Sequence, residues 1–516
     1  MISIVSSILL AGIEGTVIRI EADVSDGMPM FSMVGILASE IKESKERVRI
    51  AIKNQGYCLQ PKRITVNLSP ADLRKEGTAF DLPIALAVLA SFGYLSQEKL
   101  EDIIIVGELS LNGIIHGITG VLPIIYCAKQ NGFKKCMIPY ENRKEGIVFE
   151  DMEIIPVQNL EEAIAYFHGE SLSENDYLEF EYDNKNFACN SSSLKHKDFS
   201  DIRGQSQAKR AAVIAAAGFH NLLLIGPPGT GKTMIAERMN TILPELSFEE
   251  SMEISKIYSV AGLLNEQNGR IKERPFRAPH NSITDTALVG GGVTPKPGEI
   301  SLASGGILFL DELPEFRKGT IELLRQPLEE KKVRITRLRG NISYPADFML
   351  VCAMNPCPCG YFPNRERCLC SEIQVKRYLG RVSRPILDRI DLCVEVLPLA
   401  YNQLIKGEEK TSKDLKRIVE VARNIQRERY REWNIRFNSQ ICGEQFKYFC
   451  PLNKEEQIFL EKMFNKFKLS ARAYHRILRV ARTIADLDEE EMIQKNHLAE
   501  AFFYRGVDNQ YWENGV

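Results

Sequence analysis

Residues 226–233 carry the pattern of a phosphate-binding loop, Gly-x4-Gly-Lys-Thr. Glycines let a backbone wrap closely around phosphate groups and present N–H donors to them at the start of a helix. In this pattern the amine of Lys232 contacts the β- and γ-phosphates of a nucleotide, and the hydroxyl of Thr233 binds Mg²⁺. An apolar run at 221–225 and a helical pattern from Met234 predict the strand and the helix that such a loop connects.

Two adjacent carboxylates, Asp311 and Glu312, follow a second apolar run at 307–310. An acidic pair at a strand end is a weak signal alone, but after a phosphate-binding loop it predicts a hydrolytic site. Asp311 would hold Mg²⁺ through water, and Glu312 would orient and polarise the attacking water. The residues predicted to bind ATP and Mg²⁺ are Gly226, Pro227, Pro228, Gly229, Thr230, Gly231, Lys232, Thr233 and Asp311.

Three further polar residues could complete this chemistry. Asn355 ends a third apolar run, at the strand edge where ligands bind in open α/β sheets. Arg389 lies between apolar anchors and could reach the γ-phosphate of a neighbouring subunit, although an ion pair with Asp388 or Asp391 is the alternative. Arg472, at the start of a predicted long helix, could add a second positive charge, or it could be an ordinary surface arginine. Glu312, Asn355, Arg389 and Arg472 are therefore the catalytic candidates.

Four cysteines form the pattern Cys-x-Cys, eight residues, Cys-x-Cys. Four thiolates this close together could form a tetrahedral site for Zn²⁺. The spacing is not the commoner Cys-x2-Cys, so free thiols or a redox pair, and an Fe–S cluster, remain alternatives. The candidate ligands are Cys357, Cys359, Cys368 and Cys370.

Residues 330–342 alternate basic with apolar side chains, which predicts a β-hairpin with a basic exposed face. Such a face could follow the phosphate backbone of DNA, and a solvated charged ribbon is the alternative. A glycine-rich insert at 281–297 is the expected companion loop. The candidate DNA contacts are Lys332, Arg334, Arg337 and Arg339.

A chain of 516 residues is long enough for about three domains, which must position these groups. The patterns predict an α/β class overall, with a linker rich in Ser, Asn, Asp and Glu between two α/β units and a helical C-terminal domain. The predicted bounds are 1–168 for the first unit, 169–198 for the linker, 199–400 for the ATPase core with a parallel sheet and a cysteine-rich loop at 356–371, and 401–516 for the helical domain.

The composition excludes some classes of protein. No apolar run approaches the roughly 20 residues that span a bilayer, so we expect no membrane association. The net charge of -2 means that only local basic patches could attract nucleic acid. Clustered cysteines and an N-terminus without a signal-peptide pattern predict a cytoplasmic protein.

The order of strand, phosphate-binding loop, Asp-Glu, Asn, Arg and a helical domain with a further Arg resembles the AAA+ ATPase module. The motifs at 276–280, 287–292, 297–300 and 310–316 are similar, more narrowly, to Mg-chelatase-like ATPases of the ComM/YifB family. The resemblance covers essentially the whole chain. In such ATPases a hairpin like that at 330–342 projects into the channel of a ring.

This resemblance implies an ATP-driven homohexamer that moves on branched or single-stranded DNA. It implies a helicase that promotes branch migration in homologous recombination and natural transformation, beside recombination proteins. Two alternatives remain open: a metal-insertion motor like the ATPase subunit of magnesium chelatase, and an AAA+ remodeller of protein substrates.

The N-terminal segments 75–83 and 106–113 resemble the proteolytic domain of Lon, which implies a Lon-like fold of the ribosomal S5 type. Lon-like proteases use a serine hydroxyl as nucleophile and a nearby lysine. This sequence has Ala79 where the family has the serine and Leu122 where it has the lysine. The resemblance therefore predicts a domain without peptidase activity, with Thr78 as a substitute nucleophile the alternative.

Overall fold

The structure is a computed structural model that describes residues 2–170, 197–264, 269–292, 295–337, 340–399, 409–467 and 469–512. Residues 337, 340 and 506–510 are described by their backbone alone. Most of the predicted linker, and Arg339 among the candidate DNA contacts, lie outside the described residues.

The chain forms two compact units, and the first contains a segment that is distant along the chain. Residues 1–190 and 251–272 form the first unit, and residues 191–250 and 273–516 form the second. The domain bounds predicted from the sequence did not include the return of residues 251–272 to the first unit.

The first unit is built on a seven-stranded mixed sheet with the strand order β3-β4-β2-β1-β5-β8-β9. Strands β1 and β2 pair antiparallel, whereas β5, β8 and β9 continue the sheet in parallel. Its elements are β1 Ser3–Ala11, β2 Glu14–Ser25, β3 Met30–Val34, α1 Ser39–Asn54, β4 Arg63–Ser69, α2 Asp81–Ser91, β5 Ile103–Ile105, β6 Glu108–Leu109, β7 Ile115–His116, α3 Val121–Gln130, β8 Lys135–Pro139, α4 Arg143–Gly146, β9 Glu153–Val157 and α5 Leu160–His168.

The second unit is built on a five-stranded sheet with the order β11-β14-β17-β10-β18, whose strands all run in parallel. Its central strands are apolar throughout, as expected for a sheet covered on both faces. The elements up to the last strand are α6 Ser206–Gly218, β10 Leu222–Ile225, α7 Lys232–Ile242, α8 Phe248–Ala261, β11 Phe276–Arg277, α9 Asp285–Val289, β12 Gly290–Gly291, β13 Lys296–Pro297, α10 Glu299–Leu302, β14 Ile307–Leu310, α11 Lys318–Glu322, α12 Arg325–Glu330, β15 Lys332–Arg337, β16 Gly340–Pro345, β17 Met349–Met354, α13 Glu372–Leu379, α14 Arg384–Leu387 and β18 Leu392–Glu395.

The predicted helical C-terminal region is confirmed. A capping box at Thr411, whose side chain bonds with Asp414, begins its first long helix. No helix among the described residues is long and apolar enough to cross a membrane. The helices are α15 Ser412–Arg429, α16 Gln445–Phe449, α17 Lys454–Lys466, α18 Ala471–Leu487 and α19 Lys495–Trp512.

The segment 251–272, which contains most of α8, packs into the core of the first unit. Met252 is buried in an apolar cluster with residues of α3 and β8, and Leu264 packs against the same cluster. Ser259 Oγ donates to the buried carboxylate of Glu145 at 2.5 Å. Burial raises the pKa of Glu145, whose oxygens also accept hydrogen bonds from the backbone N–H of Leu122 and the side chain of Asn142.

Candidate active site

The loop between β10 and α7 has the backbone conformation that its glycines predict. Gly229 and Gly231 have φ of 76° and 91°, in the left-handed region that favours glycine. A Cβ atom on Gly226 would lie 2.2 Å from the carbonyl oxygen of Val396, so only glycine fits where the loop leaves β10. The chain can therefore form the tight phosphate-binding turn without strain.

Lys232 begins α7 and points back into this loop. Its side chain is buried, and Nζ donates to two loop carbonyl oxygens at 2.7 and 2.8 Å and to Asn355 Oδ1 at 3.1 Å. Burial lowers the pKa of Lys232, while the carboxylates of Asp311 and Glu312 act in the opposite direction. The structure thus gathers Lys232, Asn355 and the acidic pair at the carboxyl edge of the sheet.

Asp311 and Thr233 supply the oxygen atoms that a Mg²⁺ ion prefers. Thr233 Oγ1 donates to Asp311 Oδ2 at 2.7 Å, so a hydroxyl and a carboxylate lie side by side. Glu312 is exposed with φ of 51°, and its backbone N–H donates to Asp311 Oδ1 at 2.9 Å. Non-glycine residues held in the left-handed region are frequent at functional sites. The donor set fits the predicted Mg²⁺.

Arg389 lies at the opposite end of the sheet from the loop. Its carbonyl oxygen accepts a hydrogen bond from Asn221 Nδ2 at 2.7 Å, and Asn221 directly precedes β10. A four-residue strand such as β10 spans about 13 Å. The Arg389 side chain is 8% exposed and contacts the carboxylate of Glu329. The structure therefore does not place Arg389 among the groups around Lys232 of its own chain.

Arg472 lies near the same carboxylate. Its guanidinium is 3.8 Å from Glu329 Oε1, the oxygen that Arg389 also contacts. We call Arg389 and Arg472 the arginine pair. Burial lowers the pKa of Arg389; Glu329 opposes this shift, and the positive charges of Arg325 and Arg472 add to it.

The partners of Arg389 differ from those considered in the sequence. Asp388 pairs instead with Arg476 at 3.2 Å, and Asp391 accepts from the backbone N–H of Asn221 at 3.1 Å. The ion pair of Arg389 is made with Glu329, a residue that lies far from it in the sequence.

The four candidate cysteines come together, with every Sγ within 4.8 Å of the others. The Sγ atom of Cys357 is 3.4 Å from that of Cys359 and 3.7 Å from that of Cys368. Four sulfurs placed tetrahedrally at about 2.3 Å from Zn²⁺ would be about 3.8 Å apart. Burial raises the pKa of Cys368 to about 12. The all-sulfur donor set and its spacing fit a tetrahedral metal ion.

The cysteine cluster lies directly against the phosphate-binding loop. Gly360, between the two cysteine pairs, has φ of 85°, and a Cβ atom there would lie 2.5 Å from Cδ of Pro228. The backbone N–H of Phe362 donates to Cys357 Sγ at 3.4 Å. The turn formed around the thiols therefore supports one side of the nucleotide loop.

The predicted basic hairpin is present as β15 and β16, which pair antiparallel from Lys332–Pro345 to Arg337–Gly340. Lys332 and Arg334 are exposed on one face of β15, while Val333 is buried on the other. The side chain of Arg337 lies outside the described residues.

The glycine-rich insert packs beside this hairpin. Tyr344 Oη in β16 donates to the carbonyl oxygen of Pro295 at 2.8 Å. A Cβ atom on Gly290 would lie 3.2 Å from Cδ1 of Ile335. The two inserts are therefore in contact.

The N-terminal positions that replace a serine–lysine dyad carry alkyl side chains. Ala79 is half-buried, and Leu122 is fully buried at the start of α3. Neither alkyl group can act as nucleophile or base. Thr78 Oγ1 donates to the carboxylate of Glu108. That this unit lacks peptidase activity remains a prediction.

Three residues at the nucleotide loop or at the arginine pair make contacts that the sequence did not predict. Glu329 faces the arginine pair, and Gly360 touches Pro228. Gln205 Nε2 donates to the carbonyl oxygen of Leu397 at 2.8 Å, next to the loop. Only the glycine offered a signal, because a glycine between paired cysteines is typical of a tight turn.

Comparison with known families agrees with this fold and site. The model described as "Magnesium chelatase, subunit ChlI" matches residues 198–404. "Subunit ChlI of Mg-chelatase" matches residues 20–142, and "Magnesium chelatase, subunit ChlI C-terminal" matches residues 409–505. Together these matches define the class as Mg-chelatase-like AAA+ proteins.

Similarity to individual proteins over nearly the whole chain identifies the family within this class. Competence protein ComM of Haemophilus influenzae is 44% identical over 509 residues, which are 98% of each chain. The YifB protein of Escherichia coli is 42% identical over 512 residues, 98% of this chain and 97% of its own. This chain therefore belongs to the ComM/YifB family of Mg-chelatase-like AAA+ proteins.

Part of the chain is also similar to Lon proteases. Lon protease 2 of Bacillus subtilis is 29% identical over 205 residues, which cover 35% of this chain and 36% of its own. The predicted mixed α/β fold with a Lon-like part is thereby confirmed.

Proposed function

We propose that this protein is an ATP-driven motor that forms a ring, a homohexamer, and moves along branched or single-stranded DNA. Its role would be branch migration during homologous recombination, including the integration of DNA taken up in natural transformation. The observation that carries the proposal is the separation of two half-sites in one chain. Lys232 and Asp311 lie at one end of the sheet, and the arginine pair lies at the other.

A site divided in this way supports assembly in a ring. A head-to-tail interface, repeated until it closes, sets the arginine pair of each subunit against the nucleotide loop of the next. An arginine supplied in trans neutralises charge that develops on the γ-phosphate during transfer. Hydrolysis would then require the assembled ring.

The residues around the loop have separable roles in hydrolysis. Lys232 holds the β- and γ-phosphates, and Glu312 accepts hydrogen bonds from the attacking water and so orients it. Thr233 and Asp311 would hold Mg²⁺, which supplies positive charge to the phosphates when bound. Asn355, which contacts the Lys232 amine, would position that amine or the water.

The cysteine cluster would hold a structural Zn²⁺. A metal ion there would fix the turn that touches Pro228 and so stiffen the nucleotide loop. Elemental analysis of the purified protein tests this, and less than about 0.3 equivalents of zinc would contradict it.

The basic face of the hairpin supports DNA as the substrate. Replacing exposed Lys332 by Ala should weaken DNA binding and reduce the slope of log affinity against log salt by about 1, because one phosphate contact is lost. Fluorescence anisotropy with forked and single-stranded DNA at several salt concentrations measures this, with exposed Lys454→Ala in α17 as the control. An unchanged slope would contradict the hairpin contact, and stimulation of the ATPase by unfolded protein instead of DNA would favour a protein remodeller.

Mixing two inactive variants tests the shared site. Lys232→Ala and Arg389→Ala should each abolish hydrolysis alone. In a one-to-one mixture, random rings contain some interfaces with an intact Lys232 facing an intact Arg389, so about a quarter of the wild-type rate should return. No recovery in rings that electron microscopy shows to be mixed would refute the arrangement in trans.

A further inference from the structure

The carboxylate of Glu329 lies within reach of both guanidinium groups of the arginine pair. Arg389 and Arg472 both approach the same Oε1 atom, the first in direct contact and the second at 3.8 Å. Glu329 is 50% exposed and Arg472 is 65% exposed, so the group opens to the protein surface. A ligand arriving from outside could displace the carboxylate without unfolding the chain.

The guanidinium of Arg389 has a hydrogen-bond donor that such a ligand could use. Its side chain is 8% exposed, and its Nε atom is buried without a hydrogen-bond partner in the described part of the chain. Its other nitrogens contact Glu329 and the carbonyl oxygen of Pro385. Unsatisfied buried donors are unfavourable, and a multivalent acceptor such as a phosphate can satisfy more of them than one carboxylate.

The position of Glu329 at the C-terminal end of its helix is electrostatically unfavourable. Glu329 and Glu330 are the last two residues of α12, where the partial negative charge of the helix end disfavours carboxylates. Local rules of this kind are broken mainly at functional sites.

The two carboxylates at the end of α12 have different partners. Glu329 faces the arginine pair, whereas Glu330 pairs with Arg334 of the basic hairpin at 3.1 Å. Lys331, with φ of 57°, ends the helix, and β15 begins at the next residue. Glu329 is therefore three residues from the first strand of the hairpin, so a displacement of α12 is transmitted directly to the base of the hairpin.

We infer that Glu329 is a displaceable counterion that competes with the γ-phosphate of a neighbouring subunit's ATP for Arg389 and Arg472, and so restrains hydrolysis until the hairpin is engaged. The inference rests on the proposed function, because it uses the arginine pair in trans. Glu329 is a positioning residue, since it acts through the arginines. Movement of the hairpin on DNA would pull α12 and release the pair.

Steady-state ATP hydrolysis by the full chain tests this. Without DNA, Glu329→Gln should raise kcat by about twofold to fivefold, the range expected when a partly exposed ion pair is removed, and should lower KM. The factor by which forked DNA stimulates the rate should fall correspondingly. Glu329→Asp, which keeps the carboxylate, should stay near the wild-type rate.

Two further variants serve as controls for this measurement. Glu428→Gln removes the same charge from a position in α15 that is 80% exposed, and it should not change the rate. The double variant Glu329→Gln with Arg389→Ala should be as inactive as Arg389→Ala alone. A Glu329→Gln rate equal to that of Glu428→Gln, or reduced as in Arg389→Ala, would overturn the inference, as would a double variant that stays active.

The outcomes separate this inference from the proposed function. A wild-type ATPase that DNA does not stimulate would contradict the DNA motor, while a higher basal rate in Glu329→Gln would still support the counterion. Normal DNA stimulation in both the wild type and Glu329→Gln, with equal basal rates, would contradict the counterion alone.

Discussion

At the scale of single residues, the nucleotide site depends on how Lys232 is held. Its amine is buried among two loop carbonyl oxygens and the amide oxygen of Asn355, and no carboxylate of the described residues lies at bonding distance from it. That arrangement keeps the charge available for phosphate. Polar but neutral partners orient the amine without neutralising it.

Replacing Asn355 by Asp should therefore harm ATP binding more than replacing it by Ala. A carboxylate 3.1 Å from the amine would pair with Lys232 and repel the phosphates, whereas Ala only removes one hydrogen bond. We expect Kd for a fluorescent ATP analogue to rise about tenfold or more for Asp and about threefold for Ala. Equal Kd values for the two variants would contradict this account of the site.

The residues near the loop could be predicted because they are local in sequence or end a recognisable strand. Asp311 and Asn355 each follow an apolar run, and parallel strands bring their carboxyl ends to one edge. Glu329 could not be predicted, because its partners Arg389 and Arg472 come from a loop and a helix far along the chain. Charge alone does not reveal which of many carboxylates an arginine will meet.

At the scale of elements, the cysteine-rich turn and the nucleotide loop form one packed unit. The turn follows β17 directly, so the same strand that positions Asn355 also delivers Cys357. The apolar run at 221–225 predicted the strand before the nucleotide loop, and the structure has this strand at Leu222–Ile225. Because the cysteines immediately follow Asn355, the sequence predicted that the turn lies near the nucleotide or the pore, but no pattern in either segment identified Pro228 as its contact.

Replacing Gly360 by Ala should damage the nucleotide site without removing any polar group from it. The new Cβ would lie 2.5 Å from Cδ of Pro228, and φ of 85° is unfavourable for alanine. We expect kcat/KM for ATP to fall about tenfold, the effect of a displacement of the loop by a fraction of an ångström. Gly319→Ala, at a position where a Cβ meets nothing within 4 Å, is the control, and equal kinetics for both variants would contradict the contact.

At the scale of the whole molecule, the chain does not fold as a simple series of domains. Periodicity predicted the α/β class of the first unit, but it did not predict the return of residues 251–272 to that unit. The segment belongs to a helix that starts in the second unit, at Phe248. Periodicity identifies which face of a helix is apolar, and it does not identify the core that buries that face.

Replacing Ser259 by Ala should destabilise the first unit. The hydroxyl donates to the buried carboxylate of Glu145 at 2.5 Å, and the loss of a donor to a buried charged group costs about 1–3 kcal/mol. Urea unfolding of the full chain, followed by fluorescence or circular dichroism, measures the loss. Ser96→Ala, at an exposed position whose side chain makes no capping bond, should leave the midpoint unchanged. A Ser259→Ala midpoint equal to that of Ser96→Ala would show that the segment adds little to this core.

The return of residues 251–272 also determines when the first unit can finish folding during synthesis. The ribosome completes α5 at residue 168, but Met252 and Ser259 have not yet been made. At translation speeds of about 5–20 residues per second, the missing segment arrives roughly 5–20 seconds later. During that interval the nascent N-terminal unit carries an unfilled apolar cluster and a Glu145 carboxylate that lacks its hydrogen bond from Ser259, and it is then a natural client for a ribosome-bound chaperone.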